Sequence, residues 1–309
     1  MIFVSNWGTM KQITIFISAL ALIFLMSIQD AHSQRWNRYR KEIGFSIGAT
    51  SLLSDLGGGP GVGSRYGDFQ ISTTRWSMGG FLKYRFLDRF SVKMNLLYGQ
   101  LYGDDKTTDN LGRNHRNLDV RTDLFEFSGQ MEFYFLKERI GTRYKLKGVK
   151  GYGSTHFSSY LFAGIGLAYY NPKGTDKDGT WISLAPLNTE GQGLEGAPKD
   201  YNQITVVFPF GLGLKYNITH IMGIQFEMGM RLTTTDYLDD ASTQYYDGDA
   251  LALNFGEVSK ELADKRYNNP NRHTSGGTRG HDDKTDAYIF GLLTLTWRIR
   301  SRAKSRVRL

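Results

Sequence analysis

The chain has 309 residues, of which 40% are hydrophobic, 14% aromatic and 22% charged, and its formal net charge is +8. This composition is too apolar and too aromatic for a disordered chain, and the lack of cysteine excludes a disulfide scaffold, a thiolate zinc site and a cysteine nucleophile. A mean hydropathy of −0.38 excludes a bundle of transmembrane helices but not a membrane β-barrel, in which only alternate residues face lipid.

Residues 1–33 have the features of a secretory signal peptide. Lys11 precedes an apolar run from Ile13 to Ile28, and Ala31-His32-Ser33 then offers the small-x-small pattern of a cleavage site. A membrane anchor is the alternative, but the run is shorter than the ~20 residues that a spanning helix needs. We therefore predict cleavage after Ser33 and a β-barrel region over residues 34–309.

Beyond residue 34, apolar residues recur at every second position, which is the period of a β-strand. In the third such segment, for example, Val92, Met94 and Leu96 alternate with polar Lys93 and Asn95. The eight segments are 43–49, 76–84, 90–98, 125–135, 161–169, 204–216, 222–232 and 289–297. An even number of strands suits a closed barrel. The pattern predicts an all-β chain that forms an eight-stranded antiparallel transmembrane β-barrel.

The connections between these segments alternate in length. Short turns lie at 87–89 and 217–220, whereas the long connections are 53–74, 104–118, 172–202 and 236–285. Short periplasmic turns and long outer loops are typical of outer-membrane barrels. One connection departs from the pattern, because residues 136–158 lie on the short-turn side yet are long and basic, and we interpret them as a periplasmic excursion.

The face opposite the apolar one decides between a membrane barrel and a soluble lipocalin-like barrel. It combines many glycines with a few charges, whereas a soluble exterior would carry more charge and less glycine. The predicted polar network of the lumen comprises Lys83, Lys93, Glu126, Glu132, Lys215, Glu227 and Arg231. The aromatic residues predicted to form interfacial girdles are Tyr98, Tyr102, Phe135, Tyr169, Tyr170, Tyr216 and Trp297. An eight-stranded barrel has room inside only for side chains, so a conducting pore is not expected.

Charge differs between the two sides of the predicted barrel. Segments 34–42, 136–159 and 298–309 make the periplasmic side basic, and the long outer loops together are acidic. Basic residues here can contact lipid headgroups or an acidic periplasmic protein, and we predict the protein partner in addition to outer-membrane lipid. The candidate docking residues are Trp36, Tyr39, Arg143, Tyr144, Lys145, Lys147 and Lys150. Nucleic acid is not expected as a partner of an exported barrel.

The last long loop contains the candidates for catalysis and metal binding. His281-Asp282-Asp283 is a common chance pattern, and the chain has no spacing-specific catalytic motif, so we predict neither an enzyme nor a cofactor. Asp239, Asp240, Asp247 and Asp249 offer hard oxygen ligands for calcium, but their spacing is not that of an EF-hand and a solvated acidic loop is the alternative.

Several loop segments carry a resemblance to a known family. They are Ser54 to Gly58, Asn171 to Gly174, Pro186 to Gly193, Thr233 to Thr243 and Thr285 to Tyr288. With these segments the chain resembles the PorG-like family of small outer-membrane barrels. The resemblance implies a component of the type IX secretion apparatus of Gram-negative bacteria, associated with a periplasmic ring of PorK and PorN. A barrel that binds ligands or surfaces through its long acidic outer loops is the alternative function.

Overall fold

The computed structural model describes residues 39–54, 56, 71–107, 111–138, 156–267, 269–270, 272–280 and 285–300. The predicted signal peptide lies outside the described residues. So do six of the seven candidate docking residues, namely Trp36, Arg143, Tyr144, Lys145, Lys147 and Lys150.

Alternating apolar residues form long strands at all eight predicted places. The strands are β1 (Lys41–Leu53), β2 (Arg75–Arg85), β3 (Phe90–Asp104), β4 (Asp119–Leu136), β5 (Phe157–Thr175), the short β6 (Trp181–Ser183), β7 (Ile204–Asn217), β8 (Met222–Thr233) and β9 (Ala287–Ile299). The α-helices are α1 (Leu111–Arg116), α2 (Gly248–Phe255) and α3 (Glu257–Ala263). None of the helices in the described part of the chain is both long and apolar enough to cross a membrane.

The eight long strands close into a barrel. Each pairs antiparallel with its neighbour in the chain, and β9 returns to pair with β1. The short β6 lies outside the closure and pairs with the end of β5. The predicted eight-stranded antiparallel barrel is therefore confirmed.

The outer face of the barrel is an apolar band. On β4, Phe125, Phe127, Met131 and Phe135 are exposed, whereas the alternate residues Glu126, Ser128, Gln130, Glu132 and Tyr134 are buried. At about 3.3 Å per residue the strand from Phe125 to Phe135 is about 33 Å long. A strand tilt of about 40° reduces this to a height of about 25 Å, which matches the apolar band of an outer-membrane barrel.

The interior changes character along the barrel axis. Towards the two tight turns it contains charged side chains, whereas towards the long loops it is filled by an apolar core. From the strands this core takes Leu52, Leu97, Leu101, Val120, Leu124, Ala168, Tyr170, Val207, Tyr288, Phe290 and Leu292. From the long loops it takes Leu184, Leu238, Ala241 and Leu262, so the loops pack onto the barrel end.

The prediction of an interfacial aromatic girdle was wrong for one residue, Tyr170. Tyr170 is fully buried inside the barrel, where its hydroxyl donates to the carbonyl of Asn202 at 2.8 Å. The reason is the strand period, because Tyr169 next to it is 43% exposed and neighbouring residues of a strand face opposite sides.

Candidate functional site: the lumen and the outer cap

All seven residues predicted for the lumen are buried inside the barrel. Each of these residues is at most 5% exposed. They are Lys83, Lys93, Glu126, Glu132, Lys215, Glu227 and Arg231. They form two groups, because Glu126 and Arg231 pair with each other and the other five belong to a larger cluster nearer the tight turns.

Two lysines and two glutamates form the centre of the larger cluster. Lys83 and Lys93 lie directly opposite each other on β2 and β3, an arrangement that is unfavourable unless anions separate the charges. The Glu132 carboxylate is 3.1 Å from the Lys83 Nζ and 3.4 Å from the Lys93 Nζ. Lys93 also donates to Glu227, and Gln225 donates to the same carboxylate at 2.6 Å. The carboxylates thus neutralise an otherwise repulsive pair.

The cluster includes four charged residues that the sequence analysis did not identify: Glu42, Arg85, Glu138 and Arg298. Glu42 pairs with Lys215 and is 3.5 Å from Arg298. Glu138 pairs with Arg298 and is 3.2 Å from Arg85. The strand alternation of β1 was enough to place Glu42 inside, but Glu138 follows the end of β4 and no periodic signal marks it.

The smaller group lies closer to the apolar core. The Glu126 carboxylate is 3.4 Å from Arg231, and it accepts hydrogen bonds from the Tyr288 hydroxyl at 3.0 Å and from Ser128 at 2.7 Å. The Arg231 guanidinium lies 4.7 Å from the centre of the Phe290 ring. The ion pairs and the apolar core are therefore in contact inside the barrel, and both fill its interior.

The long loops 176–203 and 234–286, within the described residues, form what we call the outer cap. Its central anion is Glu190, which is 1% exposed. The backbone N–H groups of Ser242 and Thr243 donate to its carboxylate at 2.9 Å and 3.1 Å, and Arg279 donates at 2.9 Å. Gly191 allows the two loops to come this close, because its φ is +74° and a Cβ there would lie 2.5 Å from the Tyr246 ring.

Asp240 is the second buried anion of the outer cap. It accepts hydrogen bonds from the Tyr201 hydroxyl at 2.6 Å and from Arg279 at 3.2 Å, and Thr189 also donates to it. Burial raises the pKa of the Asp240 carboxyl, and the facing Arg279 guanidinium opposes this shift. Burial and the neighbouring Asp240 raise the pKa of Tyr201.

The structure does not gather the four predicted calcium ligands. Asp239 accepts from the Ala241 N–H at 3.0 Å, Asp247 caps the N-terminus of α2, and Asp249 is exposed and pairs with Lys260 at 2.6 Å. Within the described ranges no group of three or more acidic, histidine or cysteine side chains is arranged to hold a metal ion. Separate interactions occupy these carboxylates instead: buried hydrogen bonds for Asp239 and Asp240, a helix cap for Asp247 and a surface ion pair for Asp249.

An open cleft of about 850 Å³ lies on the outer cap. Its lining combines two aromatic rings with hydroxyl groups and glycine backbone, and includes Pro198, Tyr245, Tyr246, Ser275, Gly276 and Thr278. The buried Tyr245 hydroxyl lines the cleft without a hydrogen-bond partner among the described residues. Arg266 lies 3.8 Å from the centre of the same ring and fixes its orientation.

Of the candidate docking residues, the structure describes only Tyr39, which is partly buried just before β1. The Arg40 guanidinium next to it donates to the Tyr84 hydroxyl at 3.3 Å. Tyr39 therefore lies at the rim where β1 begins, beside the end of β2.

Comparison with known proteins gives the family of this barrel. No curated protein sequence is significantly similar to the chain. Among solved structures, neisserial surface protein A has a TM-score of 0.36 at 10% identity, over 84% of this chain and 96% of that chain. The attachment invasion locus protein Ail of Yersinia pestis has a TM-score of 0.35 at 10% identity, over 84% and 99%.

OprG from Pseudomonas aeruginosa has a TM-score of 0.33 at 10% identity, over 85% of this chain and 98% of that chain. The model of the outer membrane protein beta-barrel domain matches residues 18–256, which is most of the chain. This match places the chain in the outer membrane of a Gram-negative bacterium. The chain belongs to the outer membrane protein beta-barrel domain family.

Proposed function

We propose that this barrel is a non-catalytic outer-membrane anchor whose periplasmic face docks a secretion complex. The partner would be an acidic periplasmic protein such as a PorK/PorN-like ring, as the PorG-like resemblance implies. The observation that carries the proposal is the pair of contacts made by Glu138, which binds both Arg85 and Arg298.

These contacts bring Arg85, Glu138 and Arg298 together at one part of the rim. Lys41 pairs in register with Ile299, so the chain enters and leaves the barrel on adjacent strands. Glu138 is the last described residue before the basic residues 139–155, and it contacts Arg298 near the end of β9. A concentrated positive field accelerates association with an acidic partner and weakens as salt rises.

The closed interior supports an anchor rather than a pore. Ion pairs fill the half of the lumen near the tight turns, and the apolar core fills the other half. A barrel of this size has space only for side chains. The remaining surfaces for function are the periplasmic rim and the outer cap.

The docking proposal is tested by a variant in which Arg143, Lys145, Lys147 and Lys150 are all changed to Ser. We expect the barrel to insert and fold normally but to lose its periplasmic partner on co-purification from gently solubilised outer membranes, and secretion to fall. The control replaces four cations of the outer side, Lys106, Lys177, Lys199 and Lys260, by Ser and should keep the partner. Normal co-purification and secretion in the first variant would exclude docking through this segment.

A second candidate function is binding at the outer surface, and the cleft of about 850 Å³ favours it. Aromatic faces together with hydroxyl and backbone groups suit a neutral polyhydroxylated ligand such as an oligosaccharide. The test is a panel of oligosaccharides applied to the solubilised barrel. Tyr246→Ala should abolish any binding found, whereas Tyr267→Ala, at an exposed position of the same cap, should leave it intact.

A further inference from the structure

The apolar band ends sharply on the side of the outer cap. Tyr98, Phe125 and Tyr169 lie side by side in register on β3, β4 and β5 and form the last aromatic row of the band. Two residues farther along each strand, the outward residues are Gln100, Asp123 and Asn171. The change from aromatic to polar side chains marks the outer membrane interface on these strands.

The next outward row carries cations held against aromatic rings. It contains Tyr102, Arg121 and Lys173, which are again in register. The Arg75 guanidinium lies 4.0 Å from the centre of the Tyr102 ring, and the Arg121 guanidinium lies 4.7 Å from the Trp181 ring. Because the Tyr102 and Trp181 rings meet edge to face at 6.3 Å, the two guanidiniums flank one aromatic pair. We call Arg75, Tyr102, Arg121 and Trp181 the arginine–aromatic row.

The carboxylates nearby are engaged by other groups. Asp123 accepts from Lys173 at 2.8 Å and from the Tyr98 hydroxyl at 3.0 Å, and Asp104 accepts from the Tyr102 hydroxyl at 3.1 Å. Within the described ranges, neither Arg75 nor Arg121 forms an ion pair with a carboxylate. Therefore no carboxylate among the described residues neutralises the charge of these two guanidiniums.

The hydrogen bonds of Arg75 and Arg121 support the same conclusion, that the protein described does not neutralise the two guanidiniums. Arg75 donates to the backbone carbonyls of Ser72 at 3.2 Å and Thr74 at 3.0 Å. The Arg121 Nε atom is buried and has no hydrogen-bond partner among the described residues. A buried charged donor without an acceptor is costly, so an acceptor from outside the chain would stabilise it.

We propose that the arginine–aromatic row binds the phosphate groups of a phosphorylated glycolipid of the outer leaflet, such as lipid A. The row lies four residues beyond the aromatic row, which is about 13 Å along the strands and about 10 Å along the membrane normal. Headgroup phosphates lie at this level. Arginine forks match phosphate oxygens in a bidentate manner, and the rings beneath hold each fork in place.

The site is independent of the periplasmic docking surface and of the cleft on the outer cap. It would fix the height and the rotation of the barrel in the outer leaflet, because Arg75 lies at the start of β2 and Arg121 near the start of β4. Recognition depends on the phosphate and on the lipid that presents it at the band edge, so free inorganic phosphate would bind too weakly to replace the lipid.

The test uses the full barrel in zwitterionic nanodiscs doped with either bis-phosphorylated or dephosphorylated lipid A. Bound lipid is counted by native mass spectrometry, and its affinity is measured with a fluorescent lipid A. The wild-type protein should retain the phosphorylated form at least about tenfold better, because charged hydrogen bonds to the phosphate are lost in the other form. The double variant Arg75→Gln and Arg121→Gln should lose this preference.

The matched control is Lys177→Gln with Lys199→Gln, which removes two exposed charges from the outer cap and should keep the preference. Folding of every variant is checked by its heat-modifiable gel mobility. Equal retention of both lipid forms by the wild-type protein would overturn the proposal even if the arginine variant failed to fold. Displacement of lipid A by millimolar inorganic phosphate would also overturn it, since the site would then be one for free anions.

Discussion

The Arg279 guanidinium donates a hydrogen bond of 2.9 Å to the Glu190 carboxylate, although 89 positions separate the two residues in the sequence. Arg279 also donates to Asp240, so it joins the segment Pro186 to Gly193 to the segment Thr233 to Thr243. These are two of the segments that carry the PorG-like resemblance. Their common place is the interior of the outer cap, where a single guanidinium compensates two buried carboxylates.

Arg279→Met should therefore loosen the outer cap. Glu190 and Asp240 would remain buried without their cation, and removing one partner of a buried ion pair costs about 3 to 5 kcal/mol. We expect much faster cleavage of the cap in limited proteolysis, while the barrel keeps its heat-modifiable mobility. Arg272→Met is the control, because its partner Glu261 is partly exposed and a surface pair contributes at most about 1 kcal/mol. Equal protection of both variants would contradict the assigned role of Arg279.

Glu132→Gln should destabilise the barrel itself. Lys83 and Lys93 share the Glu132 carboxylate, and without it two facing cations would repel each other in the interior. We expect a loss of about 3 to 5 kcal/mol in the free energy of unfolding, measured by urea unfolding in lipid vesicles. Adding Lys93→Met should recover part of this loss.

The control for the lumen is Asp88→Asn at the partly exposed pair with Lys137, which should change the free energy of unfolding by at most about 1 kcal/mol. If Glu132→Gln were no more harmful than Asp88→Asn, the interior ion pairs would not contribute to stability in the way proposed.

The purified barrel should not conduct ions appreciably in planar bilayers. The Tyr134 and Tyr160 rings pack with their centres 4.9 Å apart inside the charged half, and Leu97, Leu101 and Leu124 are buried in the other half. These side chains leave little space for hydrated ions. A porin inserted in the same membrane serves as the positive control. Large and stable conductance from the wild-type protein would refute the sealed interior.

Because of Asp264, the stability of the outer cap should depend on pH in the acid range. Burial acts to raise the pKa of its carboxyl, but hydrogen bonds from Arg266 and from the His273 N–H outweigh burial and lower the pKa below the ordinary value of 3.8. A carboxyl with a lowered folded-state pKa stabilises the fold above its unfolded pKa, and this contribution is lost as pH falls through the folded pKa. The difference in protease resistance between wild type and Asp264→Asn should therefore be large at pH 7 and shrink below about pH 4. A constant difference would show that ionisation of Asp264 is not the cause.

Added calcium should leave the outer cap unchanged. Asp239, Asp240, Asp247 and Asp249 are held by separate partners, and recruiting them to one ion would break a helix cap and a buried ion pair. We expect the same thermal unfolding and protease sensitivity in millimolar calcium and in chelator. A clear calcium-dependent stabilisation would restore the predicted metal site.

The sequence alone determined the strands and the side that each residue faces. A period of two is a local property, and one apolar face and one polar face suffice to predict where Lys93 or Glu132 points. The number of strands followed from counting these segments. Closure of the barrel then followed from the even number and the alternating connection lengths.

The tertiary structure decided which charges meet and how the loops pack. Glu138 and Arg298 were interpreted as parts of basic periplasmic segments, but strand pairing brings them together with Arg85 at the mouth of the lumen. Likewise no local pattern relates Glu190 to Arg279, because their contact depends on two long loops folding over the same barrel end. The period of two shows on which face of its own strand a residue lies. An ion pair across the lumen or the cap depends on distances between residues that only barrel closure and loop packing create.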